Sequence, residues 1–239
     1  MTEPLVLLPG QMCDARVFWP QIAELSATMA VTVAPITQGE RLEEIASALL
    51  DQLPKRFALA GLGMGGAVAL EILRRAPDRV ARIALIDTSM LAETPQMAAA
   101  REMRIVKAKT GKMADVIREE VQPTYLAPGP DRAAVLDLAI DMADTLGPEI
   151  YIRQSRALQR CKDQQAVLRK CKVPAMVICG AEDKINPVKR HSFMAELIPH
   201  ATLRVIADAG HLPTLEQPAA TTAALRDWMR QPLVLQSGV

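Results

Sequence analysis

The stretch Phe57-Ala-Leu-Ala-Gly-Leu-Gly-Met-Gly-Gly-Ala-Val-Ala-Leu-Glu71 decides how this sequence folds. It opens on a short apolar run, Phe57 to Ala60, turns through closely spaced glycines, and continues as a helical pattern from Gly65 to Ala76. A strand running through a tight turn into a helix is the unit from which parallel sheets with helices on both faces are built.

The same alternation extends in both directions. Apolar runs at Leu5 to Leu8, Val31 to Ala34, Ile83 to Ile86, Ala175 to Cys179 and Leu203 to Ala207 read as further strands. Helical spacing fills Trp19 to Leu25, Leu42 to Leu53, Lys189 to Leu197 and Pro218 to Met229. The fold class expected is therefore α/β, a mostly parallel sheet of about six or more strands. After Asp87 the alternation stops, and it resumes only near Val173. Pro95 to Lys109, Met113 to Val121, Asp131 to Leu146 and Glu149 to Arg160 carry helical spacing, separated by breakers such as Gly147-Pro148. The expected organisation is a core formed by residues 1–88 and 173–239, with residues 89–172 inserted as a helical cap or lid over the sheet.

Composition narrows the function classes. The 239 residues are 50% hydrophobic and carry 28 Lys+Arg against 27 Asp+Glu, a formal charge of +1. That balance gives no basic surface for nucleic acid, and no apolar run reaches the roughly 20 residues needed for a membrane span. Met1-Thr-Glu-Pro4 lacks the cationic start of a signal peptide, so a cytoplasmic protein acting on a small molecule is expected, its oligomeric state left open. The cysteines Cys13, Cys161, Cys171 and Cys179 lack metal-site spacing and read as thiols, mostly buried. Arg153, Arg156, Arg160, Lys162, Arg169, Lys170 and Lys172 form the one pronounced charge bias, read as a solvated helix face, the alternative being a rim for an anionic substrate.

A glycine-rich turn at a helix N-terminus can cradle a phosphate, and that reading stays open. The pentapeptide Gly61-Leu62-Gly63-Met64-Gly65, however, resembles the Gly-x-Ser-x-Gly nucleophile elbow of the α/β-hydrolase family, with glycine at the serine position. The resemblance covers essentially the whole chain. Gly180-Ala-Glu-Asp183 is similar to the family's acid turn and Asp208-Ala-Gly-His211 to its histidine loop, in the family's chain order. It implies that Asp183 orients His211 as general base, and that the N–H groups of Met64 and Gln11, with Met12 second to Gln11, form an oxyanion hole. Asp87 is an alternative acid, otherwise a cap of the insertion. Cys13 and Asp14 lie in the same loop as Gln11 and Met12 and read as a small buried thiol and a loop hydrogen-bonding residue, the alternative being that they border the pocket. His191 and His200 read as surface residues.

The implied activity is acyl transfer on a small or medium ester, thioester, lactone or related carbonyl compound, with no metal or organic cofactor. Gly63 has no Oγ to form an acyl-enzyme, so this form is expected to be inactive or much weakened. The alternatives are a non-catalytic ligand-binding homologue, and a lyase or direct water attack with His211 as base.

Overall fold

Six short strands form one parallel sheet in a computed structural model that describes residues 3–233; the first two residues of the N-terminal reading and the last six of the expected core lie outside them. The strands are β1 (Leu5–Leu8), β2 (Val31–Val33), β3 (Phe57–Leu62), β4 (Val80–Ile86), β5 (Ala175–Gly180) and β6 (Thr202–Ile206). Their spatial order is β2-β1-β3-β4-β5-β6, and each neighbouring pair is parallel.

Period-two alternation divides each central strand between two apolar layers. Val6, Leu8, Leu59, Ile83, Leu85 and Val177 join one layer, beneath helices α2 (Leu42–Leu50), α3 (Met64–Arg75) and α8 (Val188–Leu197). Leu5, Leu7, Ala60, Ile86, Met176 and Ile178 join the other, which α1 (Trp19–Leu25) and the C-terminal helix Pro218–Arg230 cover. Burial on both faces explains why the central strands β1, β3, β4 and β5 read as apolar runs, whereas the edge strands β2 and β6 are half-buried and mostly exposed, respectively.

Between β4 and β5 lie α4 (Pro95–Lys109), α5 (Met113–Glu120), α6 (Arg132–Gln159) and α7 (Gln165–Arg169). The helical run of α6 breaks at Gly147, whose φ of 75° and ψ of 178° precede Pro148, as the breaker pair predicts. Val116, Ile117, Ala143 and Tyr151 give this insertion an apolar cluster of its own, which also takes in Met12. Much of the cationic run is paired at the surface: Arg153 with Glu149, Arg156 with Glu102, Arg160 with Glu40 and Lys162 with Glu43. The four cysteines are free, Cys171 and Cys179 buried and the other two half-buried.

The turn after β3 is crowded. A Cβ on Gly65 would fall on the carbonyl oxygens of Leu8 and Pro9, and one on Gly66 would fall on Thr88. Backbone cannot yield as a flexible side chain does, so Gly65→Ala is expected to cost roughly 3 kcal/mol or more, about 10 °C in Tm. Thermal unfolding followed by circular dichroism checks this; an unchanged Tm would contradict the close approach of β1 to α3.

Candidate active site

Gly63 joins β3 to α3 with φ 53° and ψ −117°, a conformation L side chains rarely adopt. Its N–H donates to Ile86 O at 2.9 Å, and its carbonyl accepts from Thr88 Oγ1 at 2.6 Å, so the turn is pinned from β4. Gly61, Gly63 and Gly66 have the spacing of a phosphate-binding turn, but Gly61, Gly65 and Gly66 are required by close backbone and side-chain packing. Gly63 differs from them. A Cβ there would meet only Gly10 Cα and His211 Nε2, each at 3.7 Å. Space exists for a side chain, and its terminal oxygen would lie within hydrogen-bond reach of the imidazole.

The structure brings together three positions far apart in sequence, 63, 183 and 211. Asp183 follows β5, and His211 follows β6 through a turn in which Asp208 has φ 55°. His211 Nδ1 lies 2.9 Å from Asp183 Oδ2. With Asp183 ionised, Nδ1–H donates to it and Nε2 presents its lone pair toward position 63. The second oxygen, Oδ1, accepts the N–H groups of Ile185 at 2.7 Å and Asn186 at 3.0 Å. Burial opposes the charge on Asp183. The hydrogen bond and charge of His211, then hydrogen bonds from Asp87 and the Asn186 N–H, outweigh that effect and hold the carboxyl below the usual range.

Two residues outside the expected set fix the histidine loop. The N–H of His211 donates to Tyr125 O at 2.8 Å. Glu216 accepts from the N–H groups of Gly210 at 2.9 Å, Ala127 at 2.7 Å and Leu212 at 2.9 Å. The Tyr125 and Ala127 contacts have no sequence signal, because those partners reach the histidine loop only when the insertion folds against the core, whereas Gly210 and Leu212 are local to Glu216.

Asp87 does not cap the insertion. It is wholly buried, with φ 40°; its Oδ1 accepts from Gly180 N at 3.0 Å, and its backbone carbonyl accepts from Asn186 Nδ2 at 3.1 Å. Burial, then the charge and hydrogen bond of Asp183, push Asp87 well above the ordinary carboxylate range. Its Oδ2 is buried with no hydrogen-bond partner among the described residues, surroundings that favour the neutral carboxyl. Ligand atoms of Asp87, Asp183 and His211 lie within 4.8 Å of one another, as a cation would require. Asp87 Oδ1 and both oxygens of Asp183 already face N–H groups, which suits an acid–imidazole pair better than a metal.

Asp87 binds its proton more tightly folded than unfolded, so it removes stability as pH rises above about 3.9. Asp87→Asn keeps an acceptor for Gly180 and a donor for Asp183. It is expected to flatten that loss in urea unfolding between pH 4 and pH 8, and to leave the activity of a Gly63→Ser background within about threefold. A loss as large as that from Asp183→Asn would instead make Asp87 the working acid.

On the other side of Gly63 lies the loop after β1. Met64 opens α3, so its N–H has no partner within the helix. Among the described residues the N–H of Gln11 meets no acceptor, whereas that of Met12 donates to Gln154 Oε1 at 2.8 Å. Cys13 lines the same cavity, but burial, then the charge of Asp14, push its thiol up to about 12, against one backbone hydrogen bond at Gly10. It therefore offers no thiolate at neutral pH. Asp14 accepts from Arg16 N at 2.9 Å and caps the short 3-10 turn Ala15–Phe18. His200 is exposed, but His191 is not: it is fully buried on the inner face of α8 beside Met194, a packing role its helical spacing permitted.

Above Gly63 and His211 opens a cavity of about 520 Å³. Met64, Leu62 and Leu212 line it from the core, and Met97, Val116, Ile117 and Ala139 from the insertion. Arg101 and Arg104 also face it, paired with Glu93 at 2.6 Å and Glu120 at 2.7 Å. Such a mainly apolar chamber with a few fixed polar groups suits a small organic ligand. No helix among the described residues is long and apolar enough to cross a membrane.

Comparison with known proteins agrees with this geometry. The chain is 30% identical, over 96% of its length and 100% of the relative's, to a pimeloyl-[acyl-carrier protein] methyl ester esterase of Aromatoleum aromaticum. It is 27% identical, over 77% of its length and 68% of the relative's, to 3-oxoadipate enol-lactonase 2 of Acinetobacter baylyi. A malate-bound thermophilic esterase from Thermogutta terrifontis superposes with a TM-score of 0.87 at 26% identity, covering 95% of this chain and 89% of that one. Residues 5–225 match the family model described as the alpha/beta hydrolase family, and with the parallel sheet, the turn after β3 and the acid and histidine loops in order, the chain belongs to that family.

Proposed function

We propose that this chain carries the site of an ester-acting hydrolase complete except for the nucleophile's hydroxyl. The observation that carries the reading is the placement of His211 Nε2, backed by Asp183, 3.7 Å from where a Cβ at position 63 would stand. With serine there, the base takes the hydroxyl proton as oxygen attacks the carbonyl carbon. The developing oxyanion rests on the N–H groups of Gln11 and Met64, at the positive end of α3. His211 then returns the proton to the leaving group, and water releases the acyl group by the same steps in reverse order.

The similarity to a methyl ester esterase and an enol-lactonase supports carboxylic esters and lactones as the substrate class, and the apolar cavity supports a small or medium acyl group. With Gly63, the chain retains the pocket and the base but no attached nucleophile, so it binds such compounds and turns them over slowly at most. A panel of short-chain p-nitrophenyl esters, an acyl thioester and a δ-lactone, offered to the chain and to Gly63→Ser, tests the reading. Turnover by the serine form is expected on at least one class. If both forms are inert, the acyl-transfer reading fails.

A further inference from the structure

We infer that Gln154, in the second half of α6, is a positioning residue that sets the oxyanion-binding loop from the insertion; this rests on the acyl-transfer reading above. On the acyl-transfer reading, the loop between Leu8 and Cys13 offers two candidate donors, the N–H groups of Gln11 and Met12. Gln154 consumes one of them. Its Oε1 accepts the Met12 N–H at 2.8 Å, while its Nε2 donates to Ile36 O at 3.3 Å, so the amide spans two core segments outside its own helix. The side chain is fully buried. A buried amide satisfied at both ends has one orientation, since turning it would orphan two groups.

Met12 is held at φ 54°, a conformation a non-glycine residue keeps only when its surroundings enforce it. With its N–H engaged by Gln154, the preceding Gln11 N–H is the candidate donor that meets no acceptor among the described residues. The Gln11 side chain is gripped as well, donating from Nε2 to Ser155 Oγ at 3.1 Å and accepting at Oε1 from Arg101 Nη1 at 3.2 Å. Ser155 is buried beside Gln154, and Arg101 belongs to α4. Three side chains from two helices of the insertion thus hold two consecutive residues of a core loop. The placement of the donor is tied to the seating of the insertion, and the same helices wall the acyl cavity.

The test pairs amide exchange with kinetics. In the unaltered chain, NMR is expected to find the Met12 amide protected, and in Gln154→Met, which fills the volume but accepts no such bond, that protection is lost. In a Gly63→Ser background, Gln154→Met is expected to lower kcat on p-nitrophenyl butyrate about 100-fold with KM within about threefold, since a misplaced donor weakens only the transition state. A residue that merely filled buried space would lower Tm and leave kcat in place. Unchanged kcat, or a freely exchanging Met12 amide in the unaltered chain, overturns the inference. Should Gln154→Met fail to fold, Ser155→Ala, which frees the Gln11 side chain, is expected to lower kcat about tenfold at constant KM, and no change there overturns it equally. If Gly63→Ser is inert with Gln154 intact, the acyl-transfer reading fails, and retained or lost Met12 protection on Gln154→Met still decides against or for the loop's dependence on this residue.

Discussion

Introducing the hydroxyl as Gly63→Ser is expected to raise the rate of p-nitrophenyl butyrate hydrolysis by about 10⁴- to 10⁶-fold, the range that separates intact from dismantled serine triads. The gain comes from two sources already in the fold. His211 Nε2 is near enough to share the new hydroxyl's proton, and the turn holds the attacking atom against the carbonyl instead of drawing it from bulk water. Stability moves the other way. At φ 53° and ψ −117° any side chain is strained, by about 1–3 kcal/mol. Gly63→Ser therefore lowers Tm by several degrees while it raises activity, and Gly63→Ala lowers Tm similarly while remaining inert. Initial rates and thermal melts on the three proteins check both halves. A serine form that is folded, strained and inactive would show that strain alone distinguishes this position.

Removing the base is the second large effect. In the Gly63→Ser background, His211→Ala is expected to return kcat to near the level of the unaltered chain, a loss of about 10⁴-fold or more, because a serine without a base is a weak nucleophile. Asp183→Asn is expected to cost about 10⁴-fold by presenting the wrong imidazole tautomer, and the two losses do not add, since the residues act as a unit. Asp183 leaves a separate mark on stability. Its folded carboxyl is held below its unfolded value, so its contribution is fully present above about pH 3.9 and is lost as pH falls through the folded value. Stopped assays across the series, with unfolding measured at pH 3 and pH 6, separate the catalytic from the structural role. If His211→Ala keeps most of the activity gained by Gly63→Ser, another group is the base.

Much of this was legible in the chain. The central strands β1, β3, β4 and β5 are readable as apolar runs because they are buried on both faces, while the edge strands β2 and β6, half-buried and mostly exposed respectively, keep Thr32 and Arg204 among their apolar residues. Gly147-Pro148 marked the break in α6 because local backbone chemistry alone dictates it. The positions of Gly63, Asp183 and His211 were readable because each sits in a turn of fixed residue type at a strand end. Residues whose roles depend on a distant partner were not. Asp87 looked like a cap, yet it is buried against Asp183 and Gly180 across two neighbouring strands. His191 looked like a surface histidine because one helical face cannot be told from another without knowing what packs on it. Gln154 gives no signal, since its acceptor and donor roles exist only between the insertion and the core, and Glu216 gives none because its acceptor role joins its own loop, at Gly210 and Leu212, to Ala127 of the insertion.

On the proposed function the site lacks only the serine hydroxymethyl group at position 63, and covalent labelling reads out that group. The unaltered chain and Gly63→Ser are incubated with an alkyl fluorophosphonate and weighed intact by mass spectrometry. One phosphonyl adduct on the serine form, mapped to position 63, and none on the glycine form is the expected result. Equal labelling of both forms, or no adduct on either while both remain folded, would contradict it.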